Sequence, residues 1–205
     1  TGDPDALVDF EHFLDAFVAQ ANHFVGKIVR ASNLRDELYA RHLPAPFISA
    51  FMHGCLARGR DVTRGGATYD LSGISYINSI ANVVDSLLVI KRLVFEERRF
   101  TLAELRAAID ADFVGHEALR RAVTGVGGKW GNGDRQTDQL ARRLGKRLFA
   151  ETYAHHSYKG GPFVPYLISM ITHTVDGRLS VASADGRRAA TPYAASANPY
   201  NVERS

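Results

Sequence analysis

The stretch ALVDFEHFLDAFVAQANHFVGKIV, residues 6–29, carries apolar side chains at steps of three and four residues. This spacing places them on one face of an α-helix. Asp3 followed by Pro4 predicts the start, because aspartate caps free backbone amides and proline at the first helical position sacrifices no hydrogen bond. We therefore expect a helix over residues 5–42 that ends before Pro44 and needs a large apolar partner surface.

Helical patterns dominate the rest of the chain as well. The sequence predicts a second helix from Pro46 through Cys55 to the region of Gly59, followed by a long ordered loop over residues 60–80 that is rich in glycine, serine and threonine. Further helices are predicted at the apolar run after residue 80, at residues 101–110 behind the capping box TLAE, at residues 117–123 and at residues 135–153. The remainder predicts a short apolar strand, Asp-Gly turns and irregular chain. The predicted fold class is α/β and mostly helical.

Composition and charge argue against several classes of function. The chain has 205 residues and a formal net charge of +3. Basic residues are interleaved with acidic ones, as in Phe95-Glu96-Glu97-Arg98-Arg99, and no basic run carries aromatic residues, so we expect no nucleic-acid binding. No apolar run approaches the roughly 20 residues that cross a bilayer, and the start lacks the pattern of a signal peptide. A single cysteine forms no internal disulfide, and we expect a cytoplasmic protein without a membrane partner.

The glycine-rich segment TGVGGKWGNGD, residues 124–134, resembles a phosphate-binding loop only superficially. A Walker A motif needs a glycine five positions before its Gly-Lys glycine and a serine or threonine after the lysine. Val123 and Trp130 occupy those two positions. The sequence therefore predicts no nucleotide-binding P-loop here.

Cys55 and the histidines are weak candidates for chemistry. Cys55 lies among apolar residues, whereas a reactive thiol needs an electropositive and partly open site, so we interpret it as structural. Adjacent histidines such as His155 and His156 point about 100° apart on a helix and do not easily grip one ion. Together with the isolated His173 they predict no metal site. The segment DGRRA, residues 185–189, predicts a turn with a buried Asp–Arg contact.

Five motifs, in order and spacing, carry a family resemblance. They are GRDVTRGGATYDLSG, IANVVDSLLVIKRLVFEE, KWGNGD, GGPFVPYLIS and ADGRRAATP. Together they resemble the C-terminal half of the pyruvate formate-lyase superfamily of glycyl radical enzymes, and the similarity covers nearly the whole chain. Within that superfamily the chain resembles the diol dehydratase, arylacetate decarboxylase and X-succinate synthase branches more than formate acetyltransferase.

The resemblance implies a ten-stranded α/β barrel wrapped in helices, of which this chain is one part. Two loops meet inside such a barrel: one carries a cysteine in a Gly-Cys-Val-Glu type motif, and the other carries the radical glycine in an Arg-Val-x-Gly-Tyr type motif. Neither motif occurs in these residues. Residues 1–205 are therefore expected to form a partial domain between the cysteine loop and the glycyl radical loop, without catalytic residues of their own. Cys55 matches a helical position ahead of the GGATY motif and not the thiyl cysteine.

The chemistry implied by the resemblance is radical C–H activation of a small organic substrate, with a lyase, dehydratase, decarboxylase or fumarate-adding outcome. The glycyl radical of the complete enzyme is installed by an S-adenosylmethionine-dependent iron–sulfur activating enzyme, and a homodimer is expected. This segment is expected to bind no cofactor. Its task is to shield the reaction from water and to hold the substrate.

Two segments are expected to face the substrate. Related dehydratases place a tyrosine where Ile168 falls in GGPFVPYLIS, and an isoleucine cannot hydrogen-bond a diol, which favours a substrate with an apolar part. Met170 follows two residues later. Ile77 and Ile80 resemble the apolar pocket lining of hydrocarbon-adding relatives. The alternative is that these side chains only pack the barrel, as aliphatic residues usually do.

A second hypothesis makes the chain a non-catalytic homologue or fragment that serves only as a structural or binding module. Flanking sequence separates the two hypotheses, because only an enzyme needs both loops. Under either hypothesis, the isolated segment is expected to expose apolar surface and to aggregate or associate.

Overall fold

The computed structural model describes residues 6–76 and 79–201. In chain order its helices and strands are α1 (Phe10–His42), α2 (Pro46–Phe51), α3 (Cys55–Arg58), β1 (Ser72–Ser75), α4 (Ile80–Val89), α5 (Leu102–Asp110), α6 (Glu117–Thr124), α7 (Arg135–Tyr153), β2 (Phe163–Tyr166) and α8 (Thr172–Arg178). The prediction of a mostly helical α/β chain is confirmed.

The two strands pair in parallel, although they are far apart in sequence. Ser72 lies opposite Phe163 and Ser75 lies opposite Tyr166. The prediction of a long ordered loop over residues 60–80 was therefore wrong in part, because β1 and a 3₁₀ turn at Val62–Arg64 lie within it. A four-residue strand has too few alternating residues to be detected from the sequence. Its partner lies too far along the chain to supply a local signal.

Helix α1 begins later than the sequence predicts. Asp9 caps it: the Asp9 Oδ1 atom accepts a hydrogen bond from the His12 amide at 2.9 Å. Asp3 and Pro4, the predicted start, lie outside the described residues. The predicted end at residue 42 is confirmed.

The predicted second helix is interrupted. Helix α2 ends at Phe51, and α3 starts only at Cys55. Gly54, between them, has a φ of +99°, and a Cβ atom there would lie 2.5 Å from Thr68 Oγ1. A side chain is excluded at this position, and the left-handed backbone breaks the helix.

Helix α4 continues directly into a π-helical stretch, Ile90–Glu96. Beyond it, the capping box of α5 is present as predicted, with Thr101 and Glu104 each bonding the other's backbone amide. Helices α6 and α7 also match their predicted positions.

Helix α8 was not predicted. Asp176 and Gly177, interpreted as a turn from the sequence, lie inside this helix. The other Asp-Gly pair does form a turn, in which the Gly186 amide donates to the Ser183 carbonyl at 3.0 Å and Gly186 has a φ of +95°. Identical dipeptides thus take different structures, because tertiary contacts override a local turn signal.

The chain divides into two compact units. Among the described residues, the first is drawn from 1–17, 76–145 and 167–205, and the second from 18–75 and 146–166. The core of the first unit is one apolar cluster, with these buried members: Val89, Ile90, Leu93, Leu105, Ala108, Phe113, Leu119, Val123, Ala182 and Ala184.

Backbone segments approach each other closely at two glycines of the second unit. A Cβ atom on Gly161 would lie 1.5 Å from the Asp70 carbonyl oxygen, and one on Gly66 would lie 1.9 Å from the Arg60 carbonyl oxygen. An ion pair of 3.0 Å joins Lys159 to Asp70. The motifs GGATYD and KGGP thus contact each other through backbone that only glycine permits.

Apolar side chains also lie exposed on α1, on α2 and on the link between them within the second unit. They are Leu34, Leu38, Leu43, Phe47, Ile48 and Phe51. Leu34, Leu38 and Leu43 line one surface groove, and an exposed apolar patch of this kind is typical of an interface.

Candidate functional site

Ile168 and Met170 lie in an irregular segment directly after β2. Ile168 is 39% exposed and Met170 is 43% exposed, and their neighbours Leu167 and Ile171 are exposed as well. Four apolar side chains therefore point away from the core over five consecutive residues. Hydrogen bonds fix the end of the segment, where the Met170 carbonyl lies 2.6 Å from His173 Nδ1.

Ile80 is the first residue of α4 and is half-buried. The residue before it, Ser79, has a φ of +64°, an uncommon backbone conformation for a residue other than glycine. Ile77 lies outside the described residues.

One short piece of chain joins the two segments. The Ala195 carbonyl accepts a hydrogen bond of 3.2 Å from Ser169 Oγ, between Ile168 and Met170. The Ala194 carbonyl accepts from the Ser79 amide at 3.3 Å, next to Ile80. The structure therefore brings the Ile80 segment and the Ile168–Met170 segment to the same stretch, residues 194–196.

A cluster of buried polar side chains lies behind this stretch, and the sequence analysis missed it. Asn82, Asp85, Lys129 and Asp185 are each at most 2% exposed. Asn82 donates from Nδ2 to Asp185 Oδ2 at 2.7 Å, and Lys129 Nζ donates to the Asp185 carbonyl at 3.2 Å. An asparagine and an aspartate within the otherwise apolar run IANVVDSLLVI were the available signal, since polar groups on a buried helix face need partners.

Asp85 has the most perturbed environment in this cluster. Burial raises the pKa of its carboxyl above the usual value, although hydrogen bonds from Asn201 Nδ2 and the Trp130 amide, both 2.7 Å long, favour the charged form. A nearby lysine, Lys129, also favours the charge. The net direction shows that loss of hydration outweighs these partners.

The predicted buried contact between Asp185 and Arg187 is present: the Arg187 amide donates to Asp185 Oδ1 at 3.4 Å, and Ser183 bridges the two side chains. Ser183 Oγ donates to Asp185 Oδ1 at 2.6 Å, and Arg187 Nε donates to Ser183 Oγ at 3.2 Å. The guanidinium of Arg187 lies 4.2 Å from the ring centre of Tyr193. These contacts join the DGRRA segment to residues on both sides of it, Ser183 and Tyr193.

Cys55 is a buried free thiol at the start of α3. The nearby His53 places its Nδ1 atom 2.8 Å from Thr68 Oγ1. These surroundings suit a structural thiol, and the structural role of Cys55 stays a prediction.

The histidines have other partners. His155 Nε2 lies 3.2 Å from Glu151 Oε1, one turn earlier in α7. Across residues 6–76 and 79–201, no group of three or more histidine, cysteine, aspartate or glutamate side chains is arranged to hold a metal ion. Within the same residues, no helix is both long enough and apolar enough to cross a membrane.

Comparison with known proteins gives a consistent result. The family model of pyruvate formate lyase-like proteins matches residues 1–177. Trans-4-hydroxy-L-proline dehydratase of Clostridioides difficile is 29% identical over 97% of this chain, which covers 25% of that protein.

Solved structures agree with the family match. The Roseburia inulinivorans protein of 1,2-propanediol dehydration matches with a TM-score of 0.92 and 30% identity, over 97% of this chain and 26% of its own. A glycyl radical enzyme from Archaeoglobus fulgidus matches with a TM-score of 0.85 and 29% identity, over 93% of this chain and 24% of its own. The chain thus spans about a quarter of the length of the relatives it matches. It belongs to the pyruvate formate lyase-like family of glycyl radical enzymes.

Proposed function

We propose that residues 1–205 form the interval between the cysteine loop and the glycyl radical loop of a longer glycyl radical enzyme. Two observations support this: the chain spans about a quarter of its relatives, and neither loop motif occurs in its sequence. The complete enzyme would act in the cytoplasm as a homodimer on a small organic substrate.

The radical chemistry would be supplied by the rest of the enzyme, after an S-adenosylmethionine-dependent iron–sulfur activating enzyme has installed the glycyl radical. This chain would bind no cofactor itself. Its own residues would exclude water and orient the substrate, which is how an apolar wall contributes to the chemistry of a reactive intermediate.

The substrate-facing wall would consist of Ile168 and Met170, and Ile80 would extend it. Ile77, the fourth residue predicted from the sequence, lies outside the described residues. The observation that carries this assignment is the run of exposed apolar side chains over residues 167–171. Ile168 is 39% exposed, so its side chain is not enclosed by the core of this chain and is free to face a substrate in the complete enzyme. An apolar wall at Ile168 favours a substrate with an apolar part, because isoleucine offers no hydrogen-bonding group to a hydroxyl.

The first test is the native polypeptide itself, isolated from anaerobic cells, with its intact mass measured and its peptides sequenced on both sides of this chain. A polypeptide several times heavier, with a Gly-Cys motif upstream and an Arg-Val-x-Gly-Tyr motif downstream, is expected. A native mass of 22.5 kDa, the mass of this chain alone, would leave no site for a radical and would favour the non-catalytic module.

The second test compares two substrates that differ by one hydroxyl group. The activated full-length enzyme is offered propane-1,2-diol and glycerol, and kcat/KM is measured for each. We expect a preference for propane-1,2-diol, and Ile168→Tyr is expected to shift the ratio toward glycerol by about 10-fold or more. Leu179→Tyr is the matched control, because Leu179 is 84% exposed and lies outside the proposed wall. A ratio that Ile168→Tyr leaves unchanged would contradict the assignment of Ile168.

A further inference from the structure

The buried polar cluster lies outside the proposed wall, yet it contacts the chain that carries the wall. Charged groups are costly to bury unless they are paired, and four neighbouring polar side chains with at most 2% exposure need a structural reason. Two of them, Asn82 and Asp85, hydrogen-bond to one segment, residues 194–201.

Asn82 connects the cluster to the start of this segment. Its Nδ2 donates to the Asp185 carboxylate, and its Oδ1 accepts the Ala194 amide at 2.7 Å. A carboxylate only accepts and an amide N–H only donates, so the orientation of the asparagine side chain is defined by its two partners. Asparagine, which both donates and accepts, fits this position where aspartate or leucine would not.

Trp130 and Asp85 hold the rest of the segment. Trp130 Nε1 donates to the Ala197 carbonyl at 2.7 Å. Asp85 accepts the Asn201 side chain at 2.7 Å, and the Asn201 carbonyl accepts Asn132 Nδ2 at 2.9 Å. Residues 194–201 have no helix or strand of their own, so these side chains supply the hydrogen bonds that regular structure would otherwise provide.

The same segment also contacts the proposed wall. The Ala195 carbonyl accepts the Ser169 hydroxyl, whose neighbours are Ile168 and Met170. The Ser196 carbonyl accepts the Ala81 amide at 3.4 Å, next to Ile80. A continuous path of hydrogen bonds therefore runs from Asp185 through Asn82 and residues 194–195 to Ser169.

We propose that Asn82 and Trp130 are positioning residues: they fix residues 194–197, and through the Ser169 hydroxyl they fix the orientation of Ile168 and Met170. The effect of these residues on catalysis rests on the proposed function. Their effect on the order of residues 167–171 does not, and it can be measured separately.

The coupling is tested by amide hydrogen exchange in the full-length protein. The His173 and Thr174 amides donate to the carbonyls of Met170 and Ile171, so their exchange reports on the wall segment. Asn82→Ala and Trp130→Phe are both expected to speed this exchange by about 5-fold, which corresponds to one lost hydrogen bond of about 1 kcal/mol. Trp130→Phe removes one donor and keeps an aromatic ring, so the test stands even if Asn82→Ala does not fold.

Two further variants separate positioning from general destabilisation. Ser169→Ala should reproduce the faster exchange. Ser169→Thr keeps the hydroxyl and should therefore exchange at the wild-type rate. Thr101→Ala is the matched control, because it removes the cap of α5 at a cost of about 1 kcal/mol in the same unit without touching the path. Unchanged exchange at residues 173 and 174 in Trp130→Phe and Ser169→Ala would overturn the inference, as would an equal increase in Thr101→Ala.

A kinetic measurement tests the link to the substrate. For propane-1,2-diol, Trp130→Phe and Ser169→Ala are expected to raise KM by about 5-fold with a smaller change in kcat, and Thr101→Ala is expected to leave KM unchanged. Faster exchange with an unchanged KM would uphold the positioning path and overturn the assignment of Ile168 and Met170 as substrate wall. The two proposals therefore fail in different measurements.

Discussion

Asp61 and Asp85 each accept several hydrogen bonds, yet their pKa values move in opposite directions. Asp61, in the second unit, accepts from the Thr63 hydroxyl at 2.6 Å and the Ser49 hydroxyl at 2.9 Å, and its backbone partners include the Thr63 amide. These bonds, led by the Thr63 hydroxyl, lower the pKa of Asp61 to about 2. Asp85, in the first unit, has a raised pKa because it is fully buried.

The difference shows that a set of hydrogen-bond donors does not by itself decide how a carboxylate ionises. Asp61 is partly exposed and keeps some of its hydration, so donors dominate. Asp85 has lost its hydration, and its two donors recover only part of the cost. The first carboxylate organises a surface turn, whereas the second holds a buried junction.

Gly66→Ala should lower the stability most, because the added Cβ atom would clash with backbone of the turn at Asp61. The Gly66 amide donates to the Asp61 carbonyl at 3.0 Å, and a Cβ atom there would lie 1.9 Å from the Arg60 carbonyl oxygen. Backbone cannot yield as a side chain does, so we expect a loss of about 4 kcal/mol or more, measured as a large fall in melting temperature or in soluble yield of the full-length protein. A melting temperature equal to that of the wild type would disprove this contact.

Asp85→Leu should be the next largest change. Leucine has a similar size, but it leaves the Trp130 amide and the Asn201 side chain without an acceptor in a buried site. Each unsatisfied buried donor costs about 1–3 kcal/mol, so a loss of about 3 kcal/mol is expected in thermal unfolding of the full-length protein. Asp85→Asn is the matched variant, and it should lose less, since the Asn201 amide can rotate to present its oxygen.

The pH dependence of Asp61→Asn and Asp85→Asn should have opposite signs. The lowered pKa of Asp61 means that its contribution is present above the unfolded value of 3.8 and is lost as pH falls through about 2. The raised pKa of Asp85 means that the wild type loses stability as pH rises from 3.8 through the folded value.

Relative to the wild type, the deficit of Asp61→Asn should therefore grow between pH 2 and 4, and that of Asp85→Asn should shrink as pH rises above 4. Melting temperatures of the three proteins, measured across this range in one buffer series, compare the two slopes directly. If the two melting-temperature differences from the wild type changed with pH in the same direction, the contrast between the two carboxylates would be wrong.

Gly145→Ala should give the smallest effect and a gain. Gly145 lies in the middle of α7, and a Cβ atom there would meet nothing within 4 Å. Alanine favours a helix over glycine by about 0.5–1 kcal/mol, so a slightly higher melting temperature is expected. This variant is also the control for Gly66→Ala, and a destabilised Gly145→Ala protein would show that α7 makes contacts at this position in the full-length enzyme.

The sequence predicted those elements whose signals are local. The capping box at Thr101 and the bounds of α7 depend on neighbouring residues, and both are confirmed. Strand β1 and helix α8 were missed, because a four-residue strand is defined by a distant partner and Asp176-Gly177 carries a turn signal that packing overrides. The candidate site followed the same rule: a sequence motif was enough to predict Ile168 as a wall residue, whereas Ser169 and Asn82 have hydrogen-bond partners far along the chain.

The pairing of β1 with β2 has a consequence for synthesis on the ribosome. Ser72 and its partner Phe163 are about 90 residues apart, and chains grow at about 5–20 residues per second. The partner strand is therefore synthesised roughly 5–20 s after β1. During that interval the edge of β1 is available to other chains. Strand β1 has only four residues, Ser72–Ser75, and so offers few free backbone groups to another chain. Its short length therefore limits aggregation through this edge during translation.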